Sequence, residues 1–259
     1  MRPLSVVALL RHDLGALHCR ARLLGVFTKG AALYDTVYGS EKDYAAGADH
    51  VRLAIAAAAS RPIRSLLDVA CGTGRHLEHL RPHYDEVVGL DLDAGMLVIA
   101  AQRLPGVRLV EADMLTFDLA RQFDAVTCLS SSIAYVRTPE KLDAAVARMA
   151  RHVAPGGVLV VEPFFDPDVF HWHRVSAKFG ETPTLKVARF ATSGRRDLIA
   201  EMTFHWLVGE AGEVSYFTEQ HALGLFTTEQ LLRAFRLAEL DPTFDPQGPS
   251  GRGLIVGRA

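Results

Sequence analysis

Leu66-Leu-Asp-Val-Ala-Cys-Gly-Thr-Gly74, running on into Arg75-His-Leu-Glu-His-Leu80, decides the fold of this chain. Ser65–Ala70 is short, apolar and β-branched at Val69, the pattern of a buried strand. Arg75–Leu80 has helical periodicity, and the two glycines between them predict a tight turn. Such a strand–turn–helix brings backbone N–H groups up to a polar ligand, because glycine lacks the Cβ that would block the approach. Asp68, near the strand end, adds a sign to that ligand. A carboxylate there repels a phosphate and suits a cationic or amine-bearing group.

The next segments extend the pattern. Glu86–Leu90 predicts a second buried strand, and it runs into Asp91, 17 residues beyond Gly74. A carboxylate at that place can accept both ribose hydroxyls of an adenosine. NAD satisfies the same logic, but a dinucleotide turn wants a third glycine, and Leu77 stands there instead. Met96 follows at the start of a helix. Leu109–Asp113 reads as a third strand with an acid at its exit, followed by Met114. Phe123–Leu129 reads as a fourth, followed by Ser130-Ser-Ser-Ile-Ala-Tyr135. In this order the motifs resemble those of the class I S-adenosylmethionine (SAM)-dependent methyltransferases. The resemblance implies backbone contacts to the methionine part from Ala70, Gly72 and Gly74, with Asp68 ordering the turn or meeting the amino group. It implies Asp91 on the ribose, Met96 on the adenine face, Asp113 and Met114 at the adenine edge, and Leu129 closing near the sulfonium. S-adenosylhomocysteine (SAH) would be the product.

Composition bounds the class. The chain has 259 residues, 49% apolar and 22% charged, as for a globule with a real core. A net charge of −2 without a basic run does not indicate a nucleic-acid partner. Cys19, Cys71 and Cys128 are odd in number and widely spaced, which fits a reducing cytoplasm rather than a disulfide framework. His171-Trp-His173 could pair on a metal, but no neighbouring motif supports one, and no metal is expected. The apolar run Met1–Leu10 is interrupted by Arg11, His12 and Asp13, and no stretch reaches membrane-spanning length.

Residues 1–29 read as an extension and 30–163 as an α/β core, a doubly wound and mostly parallel seven-stranded sheet of Rossmann-like type. Thr138-Pro-Glu140 starts a helix that Ala154-Pro-Gly-Gly157 is expected to end. Val158–Val161 then closes the parallel set. The period changes afterwards. Leu185–Thr192, Asp197–Val208 and Val214–Leu225 read as about three antiparallel strands, with turns at Ser193–Arg196 and Gly209–Glu213. This insertion, residues 164–225, emerges where a doubly wound sheet binds its ligand, so it can roof the site. Residues 226–259 supply a late helix, Thr227–Leu240, and a closing strand.

A narrower resemblance covers residues 30 to the end. Leu33-Tyr-Asp, Lys42-Asp-Tyr-Ala-Ala, Val160-Val-Glu-Pro, Leu225-Phe-Thr and Gly248-Pro-Ser-Gly-Arg-Gly-Leu are similar to segments of the sugar N,N-dimethyltransferases of antibiotic biosynthesis. Those enzymes methylate the amine of a dTDP-linked amino-deoxysugar. The resemblance implies a nucleotide-sugar substrate, cofactor or substrate cover by Tyr34 and Tyr38, and Arg252 on the diphosphate. A guanidinium forks two phosphate oxygens, and the glycines flanking Arg252 leave room for them. The chain departs from some relatives at Ser131-Ser-Ile-Ala-Tyr135, where they carry a histidine near the acceptor amine. Tyr135 can position a sugar by hydrogen bonding but is a poor base near neutrality. Two other readings stay open: a methyltransferase for an oxygen or carbon acceptor, and a non-catalytic SAM-binding partner protein. A homodimer and a cytoplasmic location complete the expectations.

Overall fold

The structure, a computed structural model, describes residues 30–39 and 42–259. The expected extension, and Cys19 with it, lies outside the described residues. Two helices come first, α1 (Ala31–Tyr38) and α2 (Tyr44–Ala58). Then β1 (Ser65–Val69), α3 (Arg75–Leu80), β2 (Glu86–Asp91), α4 (Ala94–Arg103), β3 (Arg108–Glu111) and β4 (Phe123–Cys128) alternate. They are followed by α5 (Pro139–Ala150) and β5 (Val153–Val161). The chain closes with α6 (Thr228–Leu237), β10 (Asp241–Asp245) and β11 (Leu254–Arg258).

The seven-stranded sheet has the order β10-β11-β5-β4-β1-β2-β3. Its pairings are parallel from β5 to β3, and β11 alone runs against its neighbours. The order reverses between β1 and β4, which opens a crevice beyond the carboxyl ends of those two strands. Helices cover both faces, so the central strands read as near-continuous apolar runs. Leu66, Val87, Ala125 and Val158 pack on Val51 and Ile55 of α2 and Leu77 and Leu80 of α3. Leu67, Val69, Val88 and Val126 pack on α5 and α6 through Leu142, Val146, Met149, Leu231 and Phe235.

Three expectations need correction. Ala154–Gly157 does not end the helix from outside; it lies within β5, whose register against β4 shifts between Phe123 and Ala125. The glycines that resemble a helix stop instead form a bulge, with Gly156 at φ +76°. The insertion holds four strands rather than three: β6 (Val175–Glu181), β7 (Leu185–Arg196), β8 (Ile199–Glu210) and β9 (Glu213–Gly224), paired in that order. The first is polar and irregular in alternation, so sequence pattern did not mark it. The hairpin turns are also tighter than expected. Arg196 pairs with Ile199 and Glu210 with Glu213, leaving two-residue turns at 197–198 and 211–212. Ala211 and Gly212 both have positive φ, as a type I′ turn requires.

The inner face of this second sheet packs on α1. Leu33 and Val37 meet Val187, Ala191, Phe204 and Trp206. Gly180 lets the sheet approach closely, because a Cβ there would sit 2.2 Å from the Thr36 carbonyl oxygen. The small helix α1 is thereby wedged between the insertion and the crevice of the main sheet.

Candidate functional site

The first wall of the crevice is the glycine turn. Ala70, Gly72 and Gly74 all have positive φ, at 58°, 56° and 78°. Ala70 is strained in that region, and Gly74 takes it freely. A Cβ on Gly72 would meet nothing within 4 Å, so the outer side of the turn faces open space. Asp91 holds the turn in place: its carboxylate accepts from Gly72 N–H at 2.7 Å and from Asp93 N–H at 2.9 Å. Burial raises the Asp91 pKa, and these backbone donors oppose the rise. The expected ribose acid thus stands beside the expected methionine loop and braces it.

Asp68 lies beneath the turn and is 2% exposed. Its carboxylate accepts from the Thr127 hydroxyl at 2.7 Å. Burial is the main cause that pushes its pKa up to about 7; the Thr127 hydrogen bond opposes it, and the Asp91 charge adds to it. A carboxyl that binds its proton more tightly folded than unfolded stabilises the fold at low pH. That stability is lost as pH rises from about 4 to about 7. Asp68→Asn is therefore expected to raise the melting temperature of the ligand-free protein at pH 8 and to flatten its dependence on pH over that window. Thermal scans across pH check this; an unchanged slope would show Asp68 to be a minor contributor.

The second wall carries the apolar groups. Met96 is buried in the first turn of α4, whose N-cap Asp93 accepts from Gly95 and Met96 N–H. Asp113 caps its own turn through Leu115 N–H at 2.8 Å, and Met114 packs on the core. The Leu129 side chain is buried in the cluster with Ala125, Val158 and Val160.

The third wall is α1. Asp35 ties this helix to the glycine turn, accepting from the Thr73 hydroxyl at 3.0 Å and from Arg75 Nε at 3.2 Å, and pairing with Arg103. Next to that anchor and one helical turn beyond it, the Tyr34 and Tyr38 rings lie 4.4 Å apart. Around Tyr38 gather Lys42 at 5.6 Å from the ring centroid, Lys178 at 5.3 Å and Arg189 at 5.2 Å. Arg189 is buried; it donates to the Tyr38 hydroxyl and lies over Phe204. Arg252 donates to the Ser131 hydroxyl at 3.1 Å and covers Phe165. Burial lowers the ammonium pKa of Lys42, and Arg252 lowers it further while Glu162 opposes. Burial likewise lowers that of Lys178, followed by Arg189 and Arg252. Four cations share one patch, which favours an anion.

Sequence reading singled out Tyr38 and Arg252 but missed Asp35, Lys42, Lys178 and Arg189. The signal for Arg189 was strand parity. It shares the inward face with Val187 and Ala191, where a lone charge is out of place.

Around Arg252 the backbone is held tightly. Ser130 and Ser131 both have positive φ. Buried Glu162 accepts from Ser130 N–H at 2.7 Å and from the Ser250 hydroxyl, joining the exit of β4 to the loop that carries Arg252. Next to it, Tyr135 bonds to His221 at 2.9 Å. His171 and His173 are exposed, and among the described residues no cluster of three or more His, Cys, Asp or Glu could hold a metal.

The open glycine turn, the braced Asp91 and the buried methionine fit a SAM-sized nucleoside on this geometry. The comparisons agree. A family profile described as a methyltransferase domain matches residues 66–157. A dTDP-3-amino-3,6-dideoxy-α-D-glucopyranose N,N-dimethyltransferase of Streptomyces fradiae is 44% identical over 229 residues, covering 88% of this chain and 89% of that one. The crystal structure of DesVI from Streptomyces venezuelae superposes with a TM-score of 0.83 at 41% identity, over 88% of this chain and 97% of that one. SAM-bound CalS10, an amino pentose methyltransferase of Micromonospora echinaspora, gives a TM-score of 0.76 at 37% identity, over 93% and 99%. The chain is a SAM-dependent methyltransferase and belongs to the family of the dTDP-amino-sugar N,N-dimethyltransferases.

Proposed function

We propose that this enzyme methylates, once or twice, the amino group of a dTDP-linked amino-deoxysugar on the way to a natural product. The cation patch of Lys42, Lys178, Arg189 and Arg252 carries the reading. It gives a diphosphate a place beside the glycine turn, and the insertion at 164–225 caps the sugar.

When bound, SAM would supply an electrophilic methyl group to a neutral amine, whose lone pair would form the N–C bond while the sulfur keeps the electrons of the C–S bond. The protein's work is alignment and exclusion of water. Ala70, Gly72 and Gly74 hold the methionine part by backbone, and Asp68 lies under that turn. Asp91 takes the ribose, Met96, Asp113 and Met114 the adenine, and Leu129 backs the site from the core. Tyr34 and Tyr38 form the wall between cofactor and sugar, Arg252 forks the diphosphate, and Tyr135 positions the amine.

Purified protein, SAM and a panel of dTDP-3-amino and dTDP-4-amino sugars test this by mass spectrometry. The expected product carries one or two added methyl groups. SAM binding with no mass gain on any member of the panel would sink the assignment and leave a non-catalytic SAM-binding protein or an oxygen or carbon acceptor. The outer face of the insertion exposes Val175, Phe179, Phe190 and Leu207, which supports a homodimer built on that sheet. No helix among the described residues is long and apolar enough to cross a membrane, in keeping with action in the cytoplasm on a nucleotide sugar.

A further inference from the structure

An amine that attacks a sulfonium must first be neutral, yet amino-sugar amines reach the enzyme partly as ammonium ions. A site that excludes water must therefore take up a proton itself. Tyr135 alone does this badly. It does not stand alone. Its hydroxyl lies 2.9 Å from Nδ1 of His221, whose ring packs at a tilt against Phe204, with centroids 4.3 Å apart. On the far side of the imidazole, Glu219 brings a carboxylate oxygen to 3.9 Å from Nε2. Glu219 is itself fixed by Trp206 Nε1 at 2.9 Å and by Gly30 N–H at 3.0 Å. A carboxylate on that side favours the tautomer with its proton on Nε2, which leaves Nδ1 to accept from the tyrosine.

We propose that Tyr135 and His221 form a two-residue proton relay that neutralises the bound sugar ammonium before methyl transfer, His221 acting through Tyr135. The inference rests on the amino-sugar reading above. The step is balanced. The ammonium N–H gives its proton to the Tyr135 oxygen as the Tyr135 O–H proton moves to His221 Nδ1. The amine regains its lone pair, the tyrosine ends neutral, and the imidazole gains one positive charge opposite Glu219.

The surroundings suit a proton acceptor. Tyr34 and Tyr38 from α1 face Tyr135, with Asp91 at the end of β2 and Glu219 on β9 supplying negative charge. Arg189 of β7 lies over the Phe204 ring, which neighbours the imidazole. From β8, Met202 pairs with His221 and Phe204 packs at a tilt against it, and neither titrates.

His221→Gln keeps a hydrogen-bond acceptor but cannot take a proton, so it separates relay from scaffold. Its turnover is expected to fall about 100-fold near pH 6.5 and to approach wild type near pH 9, where the amine arrives neutral. Tyr135→Phe also removes the positioning hydroxyl, so it is expected to show that loss near pH 6.5 and to keep a smaller loss at pH 9. Tyr135→His restores an imidazole directly and is expected to rescue activity near pH 6.5 even in combination with His221→Gln. SAH affinity by calorimetry should stay at the wild-type value in all of them. A loss in His221→Gln that is equal at all pH values, or no loss at all, overturns the relay. Wild-type enzyme that binds SAH but leaves every amino sugar unmethylated overturns the amino-sugar reading, and the relay falls with it.

Discussion

Asp91→Ala is expected to raise the dissociation constants of SAM and SAH by about 100-fold. Two losses combine. A charged acceptor for the ribose hydroxyls disappears, and hydrogen bonds to a charged group contribute about 1.5–3 kcal/mol. The same carboxylate holds Gly72 N–H and Asp93 N–H, so its removal also frees the turn that lines the methionine part. Each 1.4 kcal/mol is about a factor of ten, so the ribose term alone spans about 10- to 150-fold. Calorimetry with SAH reads the effect directly. An unchanged affinity would reduce Asp91 to a brace at the end of β2. Because burial raises its pKa, SAM affinity should also weaken as pH falls and the carboxylate takes up a proton.

Arg252→Ala is expected to weaken dTDP and dTDP-sugar binding by about 10- to 100-fold while SAH affinity stays within about twofold. The guanidinium is anchored by the Ser131 hydroxyl and by the Phe165 ring, so it is oriented before a ligand arrives. Lys42, Lys178 and Arg189 remain in the variant, which keeps the loss from being larger. Arg252→Lys should recover only part of it, since an ammonium cannot fork two oxygens. Titration of dTDP against both variants, with SAH as control, checks the assignment. Equal weakening of both ligands would mean that Arg252 only holds the loop at 248–253.

The parallel half of the fold was legible because its signals are local. Leu66–Gly74 writes a buried strand and a turn into nine consecutive residues, and Asp91 and Asp113 mark the exits of the neighbouring strands. The Thr138 cap and Pro139 placed the start of α5 correctly. The bulge at 154–157 was misread because a Pro-Gly-Gly run after a helix carries the same glycine signal as a helix stop. The missing strand β6 pairs only with β7 and is mostly exposed, so no buried face imposes a period on it. The site shows the same division. Residues on the glycine turn were proposed from spacing. Lys178, Arg189 and His221 come from strands of the insertion, far from that turn in the sequence. Their roles depend on how one sheet lies over another, which no local pattern encodes. Asp35 was passed over beside the more conspicuous Tyr34, although its carboxylate is the contact that joins α1 to Thr73 and Arg103.

That junction couples two parts of the site mechanically. The helix α1 is stapled at its start to β9 through Gly30 and Glu219, and at its middle to the glycine turn through Asp35. One short helix is therefore bonded both to the glycine turn and to the roof, so a shift of either is resisted by its contact with the other.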